Sequence, residues 1–186
     1  MSLENLVDNN KTDKNTLHSY LPLYQMLFQN KKHTAKNVLE VGIANGGSIK
    51  LWNQFFPNAT IYGVDIIHDS TICDAIKNNN VKLFTLTNAY DINFIYDLKN
   101  QNITFDILID DGPHTLQSMK DFIDLYLPLL SEDGILIIED IQSIDWLQTL
   151  TDLISPSLQR YIKTYDLRNN KNRYDDILFT IDKFNL

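Results

Sequence analysis

A chain of 186 residues, 44% hydrophobic and 22% charged, is long enough to bury one real core and too short for two ordinary domains. Its net charge of −8 works against a nucleic-acid surface, and no apolar run approaches the ~20 residues that span a bilayer. Residues Met1 to Asn15 are polar and hold no signal-peptide apolar region, which makes a cytosolic location the default expectation.

From Thr16 to Gln29 the residues Leu17, Tyr20, Leu21, Tyr24, Leu27 and Phe28 recur every three or four positions, which predicts a leading amphipathic helix. Residues 1–35 thus form an N-terminal helical segment able to cover a bound substrate, ahead of the rest of a single domain over 1–186. Strands are predicted at Asn37–Gly42, Thr60–Asp65 and Val81–Leu86, with helices at Ser48–Phe55, Ser70–Lys77 and Ile92–Leu98. Two further apolar runs, Ile107-Leu-Ile-Asp-Asp-Gly-Pro-His114 and Gly134-Ile-Leu-Ile-Ile-Glu-Asp140, supply strands four and five around a helix from Leu116 to Leu130. The lone cysteine, Cys73, has no disulfide partner and no zinc spacing, and reads as a small apolar filler on its helix.

Strands alternating with helices, each strand apolar nearly throughout, predict an α/β fold with a doubly wound parallel sheet covered on both faces. The ending departs from this rhythm. After a helix near Ile144 to Leu153, strands at Gln159–Tyr165 and Asp176–Asp182 are joined only by the polar Asp166–Asp175 link. They should therefore pair antiparallel as a hairpin, giving seven strands, mostly parallel, with one antiparallel strand at the end. Apolar outer faces on that hairpin are compatible with a homodimer.

A parallel sheet gathers the carboxyl ends of its strands at one edge, where open α/β folds bind ligands. Asp111, Glu139 and Asp140 should meet there, and so close together they repel one another unless a cation shares them. Hard oxygen ligands suit magnesium or calcium, and His114 stands beside them. Asp110, next to Asp111 on an extended strand, points to the opposite face and is a candidate for supporting or cofactor contacts.

Glu40-Val-Gly42-Ile-Ala-Asn-Gly46-Gly47-Ser48 joins the first strand to the next helix, where glycines allow a tight turn and close approach to a ligand. Its spacing is not that of dinucleotide folds, because Ala44 takes the middle position. Asp65 closes the second strand at the place where an acid accepts bonds from ribose hydroxyls. Glu40 suits an ammonium or a backbone amide better than a pyrophosphate. In Thr87-Asn-Ala-Tyr-Asp91, Asn88 is a candidate for the adenine amino group and Asp91 a candidate helix cap.

Val38-Leu-Glu-Val-Gly42, Gly46-Gly47-Ser48, Tyr62-Gly-Val-Asp65 and the seven-strand order resemble class I S-adenosylmethionine-dependent methyltransferases of Rossmann-like fold. More specifically, Asp13-Lys14 with His18 and Tyr20, Ser48-Ile-Lys-Leu-Trp52, Asp110-Asp-Gly-Pro-His114 and Glu139-Asp140 resemble the magnesium-dependent sugar O-methyltransferases of macrolide biosynthesis. The resemblance implies Asp111, Glu139 and Asp140 as magnesium ligands and His114 as general base. It also implies contacts to S-adenosylmethionine from Glu40, Gly42, Gly46, Gly47, Ser48, Asp65, Asn88 and Asp110.

The expected activity is therefore methyl transfer to a hydroxyl of a small acceptor, a sugar or sugar conjugate, with neither nucleic acid nor membrane as partner. A catechol-type O-methyltransferase and a non-catalytic nucleoside-binding module remain as alternatives, while the displaced glycines argue against a dehydrogenase. For Asp13, Lys14, His18 and Tyr20, simple capping of the leading helix is as good a reading as a functional one. Trp52 and Trp146 read as packing residues.

Overall fold

The computed structural model describes residues 1–68 and 80–185; the helix expected over Ser70–Lys77, with Cys73, lies outside them. Strands β1 (Asn37–Val41), β2 (Thr60–Val64), β3 (Val81–Phe84), β4 (Phe105–Asp110) and β5 (Leu130–Ile138) pair in parallel. β6 (Ile162–Asp166) and β7 (Ile177–Asp182) complete a seven-stranded sheet in the order β3-β2-β1-β4-β5-β7-β6. β7 is antiparallel to both neighbours. The reversed strand thus lies between β5 and β6, one place in from the edge, because the 166–175 link is short enough to fold β7 back between them.

The central strands are buried nearly throughout, as two covered faces require, and successive side chains reach opposite faces. Val38, Ile107, Ile109, Ile135 and Ile137 pack on one face under α1 (Leu3–Leu6), α2 (Leu21–Phe28) and α3 (Gly47–Phe55). Leu39, Val41, Leu108, Leu136 and Ile138 pack on the other under α4 (Ile92–Asn100), α5 (Leu116–Tyr126) and α6 (Trp146–Leu153). Short helices α7 (Pro156–Gln159) and α8 (Arg168–Lys171) flank β6. Among the described residues, no helix is long and apolar enough to cross a membrane.

Two prolines set boundaries that hydrophobic periodicity overruns. Pro22 has no amide hydrogen and crowds the carbonyl four residues back, so α2 starts at Leu21 instead of Thr16, and residues 8–18 run as successive turns. Pro128 likewise ends α5 at Tyr126, and Leu127–Leu129 tighten into a 3-10 turn before β5. These turns leave the N-terminal segment free to run over the carboxyl ends of β1, β4 and β5, where the polar residues collect.

Candidate active and metal site

β1 ends in a turn whose first residue, Gly42, has φ +93°, and a Cβ there would stand 2.0 Å from the carbonyl oxygen of Asp111. Only glycine lets the end of β4 lie so close to the turn. Asp65 braces the same turn from β2: its Oδ2 accepts the amides of Ile43 at 2.7 Å and Ala44 at 3.1 Å, and its Oδ1 accepts that of Ile67 at 3.2 Å. A cavity of about 910 Å³ opens here, lined by Gly42, Ser48, Asp65 and Asn88, by Asp111, His114 and Asp140, and by Asn9 to Asp13 and Thr16 of the N-terminal segment. That volume is within the range of natural small-molecule sites. Glu40, Gly46, Gly47, Asp110 and Glu139 stand behind its wall and are not among the lining residues.

Strand alternation sorts the acids. Glu40 follows Val38, Asp111 follows Ile109, and Glu139 follows Ile137, so all three reach the face covered by α2 and α3. There the ammonium of Lys14, 1% exposed, lies 2.6 Å from Asp111 Oδ2, 2.6 Å from Glu139 Oε2 and 3.2 Å from Glu40 Oε1. The cation shared by Asp111 and Glu139 is thus a lysine of the chain itself. Burial opposes the Lys14 charge, but Asp111, Glu139 and Glu40 outweigh it and hold the ammonium well above its ordinary range. Burial pushes the Glu40 and Glu139 carboxyls up against the pull of Lys14. Trp52 Nε1 donates to Glu40 Oε2 at 2.9 Å, and the Tyr24 hydroxyl donates to Glu139 Oε1.

The cavity side carries a different set. Asp140, just beyond β5, has φ +53°, a left-handed conformation that is costly for a residue with a Cβ and that turns its carboxylate out of the strand alternation. Its Oδ1 accepts the Tyr20 hydroxyl and lies 3.3 Å from His18 Nδ1. Its Oδ2 lies 3.6 Å from His114 Nε2. Asp111 has the same division of labour: Oδ2 faces Lys14, and Oδ1 lies 3.7 Å from His114 Nε2. His114 also has a positive φ, +55°, while the cap of α5 is supplied by Thr115 and Ser118 in reciprocal bonds. The histidine is therefore not needed to start the helix. Asp111, His114 and Asp140 each offer one ligand atom within 4.8 Å of the others. Burial first, then the Asp111 charge, raise the Asp140 carboxyl above its usual range. Asp111, Glu139 and Glu40 face the one Lys14 ammonium and Asp140 lies beyond it, and a divalent ion suits that deficit of positive charge.

On the opposite sheet face, Asp110 is buried and its Oδ1 accepts the Tyr90 hydroxyl at 2.8 Å; burial pushes its carboxyl up to about 7. Asn88 Oδ1 accepts the Tyr90 amide at 3.0 Å, and Asp91 caps α4 by accepting the amide of Asn93. Trp52 is fully buried against Tyr24, Phe28 and Phe56. His18 Nδ1 meets Asp176 Oδ1 at 2.6 Å, with Asp175 close by. Neither Asn15 nor Thr16 caps α2, whose N-cap is Tyr20.

Tyr24, Tyr90 and Asp176 were not signalled by the sequence as site residues. Tyr24 and Tyr20 are four apart on one helical face, and a pair of tyrosines at that spacing beside predicted buried acids is the one available sign, since phenol hydroxyls seek partners when buried.

The family model described as FtsJ-like methyltransferase matches residues 19–170. The chain belongs to the FtsJ-like methyltransferase family. Similar relatives include the mycinamicin VI 2''-O-methyltransferase of Micromonospora griseorubida, 28% identical over 137 residues, covering 70% of this chain and 33% of the relative. Another is the 8-demethyl-8-(2-methoxy-alpha-L-rhamnosyl)-tetracenomycin-C 3'-O-methyltransferase of Streptomyces olivaceus, 30% identical over 132 residues, covering 67% and 32%. The chain spans about a third of the length of these relatives. Among solved structures, MycE methyltransferase from the mycinamycin biosynthetic pathway, in complex with Mg and SAH, superposes with a TM-score of 0.76 at 24% identity, covering 98% of this chain and 55% of that one. That likeness shows a shared methyltransferase fold, including the reversed strand next to β5.

Proposed function

We propose that this FtsJ-like methyltransferase is an S-adenosylmethionine-dependent, magnesium-dependent O-methyltransferase acting on a hydroxyl of a small acceptor, a sugar or sugar conjugate. The observation that carries the reading is the convergence of Asp111 Oδ1, Asp140 Oδ2 and His114 Nε2 on the cavity that also contains the glycine turn and Asp65.

When bound, the cofactor supplies an electrophilic methyl group and the divalent ion lowers the pKa of a hydroxyl beside it. Asp111 and Asp140 would hold the ion through the oxygens turned to the cavity, and Glu139 adds negative charge from behind. Asp65 retains lone pairs for ribose hydroxyls beyond its bonds to the turn, and Asn88 stands at the adenine side. His114 Nε2 accepts the acceptor's hydroxyl proton, which an imidazole can do near neutral pH. Asn9 to Asp13 roof the cavity and exclude water.

The acceptor class follows from the lining and the relatives. The N-terminal wall is polar, made of Asn9, Asn10, Thr12, Asp13 and Thr16, and Tyr90 is the one benzene ring among the described lining residues. That suits hydroxyl-rich acceptors better than an aromatic diol, and the tetracenomycin relative is named for 3'-O-methylation of a rhamnosyl compound. Titration calorimetry with S-adenosylhomocysteine, with magnesium present and NAD as comparison, tests the cofactor. Micromolar binding of the homocysteine nucleoside alone supports the reading, and transfer of labelled methyl to sugar glycosides but not to catechol completes it. Binding of NAD alone, or of neither, overturns it.

A further inference from the structure

The N-terminal segment reaches deeper than a roof requires. Lys14, His18 and Tyr20 are all at most 3% exposed, and burying an ammonium is unfavourable unless it is fully paired. Lys14 precedes the residues matched by the family model, which begin at 19. Its task has to be read from geometry.

A carboxylate has two equivalent oxygens, and fixing one fixes where the other points. Lys14 takes Oδ2 of Asp111 at 2.6 Å, while Oδ1 is the oxygen facing His114. Lys14 is itself held from two further sides by Glu139 and Glu40. Those acids are anchored by Tyr24 and Trp52, whose rings pack edge to face with centroids 5.6 Å apart. The aim of Asp111 is thereby traceable to packed aromatic rings. Tyr20 performs the same service for Asp140, holding Oδ1 so that Oδ2 faces the cavity.

We propose that Lys14 is a positioning residue of the metal site, which keeps Asp111 Oδ1 turned toward the cavity. The inference rests on the metal reading above and adds the residue that orients its carboxylate. Supporting contacts of this kind are worth about 10–100-fold in metal affinity. Charge alone predicts the opposite sign, because removing an ammonium makes the site more negative and should tighten a cation.

Manganese(II) titration followed by water-proton relaxation separates the two. In Lys14→Met, manganese affinity should fall about 10–100-fold despite the lost positive charge; unchanged or tighter binding overturns the proposal. If Lys14→Met does not fold, as judged by circular dichroism, Lys14→Arg is read in its place. It keeps the charge but cannot fit the same three-acid pocket, so a several-fold loss supports positioning and unchanged binding overturns it. Wild-type protein that binds no manganese would instead defeat the metal reading itself, while wild-type binding that survives the Lys14 substitutions would defeat only this inference.

Discussion

The carbonyl oxygen of Lys11 lies 2.2 Å from the point where a Cβ on Gly47 would stand. The bare Cα of Gly47 therefore admits the chain's own N-terminal segment. In Gly47→Ala the new methyl meets backbone, which cannot swing aside as a side chain does, so the segment is displaced and stability falls by about 1–3 kcal/mol. Urea unfolding checks this. A wild-type or higher midpoint, which the better helix propensity of alanine alone would give, defeats the packing account.

Asp111→Ala removes one of the two carboxylates proposed to hold the ion and leaves the glycine turn and Asp65 in place. Magnesium-dependent activity should disappear, while calorimetry finds S-adenosylhomocysteine affinity largely intact. Undiminished turnover would sink the role given to Asp111.

His114→Asn is the informative change at the histidine, because asparagine tolerates the positive φ of that position and so spares the backbone. The value of kcat should fall by about 10²–10⁴ with KM little changed, as steady-state kinetics would show. Loss of manganese binding in this variant would reassign His114 from base to ligand.

Away from the site, buried Lys31 pairs with Asp133 on β5 at 2.8 Å, tying the end of α2 to the sheet. The hydrogen bond from Lys31 holds the Asp133 carboxyl below its ordinary value, with burial opposing. A carboxyl lowered by folding adds stability above its unfolded pKa, and that stability is lost as pH falls through the folded value. Because Asp133 is mostly exposed, Asp133→Asn should cost under about 1 kcal/mol at neutral pH and less at an acidic pH where the carboxyl is protonated. Thermal melts at the two pH values check it; an equal loss at both would remove the ion pair as the cause.

Much of this architecture is legible in the residue pattern, because a short apolar run is a local signal, and it marks β1, β4 and β5. The alternation of side-chain direction along a strand then sends Asp110 to the face of Tyr90 and Asp111 to the face of Lys14. What escapes the pattern is non-local or conformational. Lys14 meets Asp111 and Glu139 across 97 and 125 residues, and it sits in a run of turns with no period to read. Tyr24 reads as an apolar helix face because its ring is one; only the fold shows what its hydroxyl reaches. The positive φ of Asp140, which turns it to the cavity beside Asp111, is a conformation aspartate tolerates but does not by itself signal.

His18 depends on Asp176, 158 residues later and immediately before β7. During synthesis the segment carrying Lys14, His18 and Tyr20 emerges well before the carboxylate that fixes His18. Asp111 and Asp140, just beyond β4 and β5, can be in place and Asp140 can approach His18 while the closer carboxylate, that of Asp176, is still missing. Insertion of β7 beside β5 supplies it, so maturation of the site is tied to closure of the sheet, and a chain truncated after β6 keeps its acids but lacks the carboxylate that fixes the histidine behind Asp140.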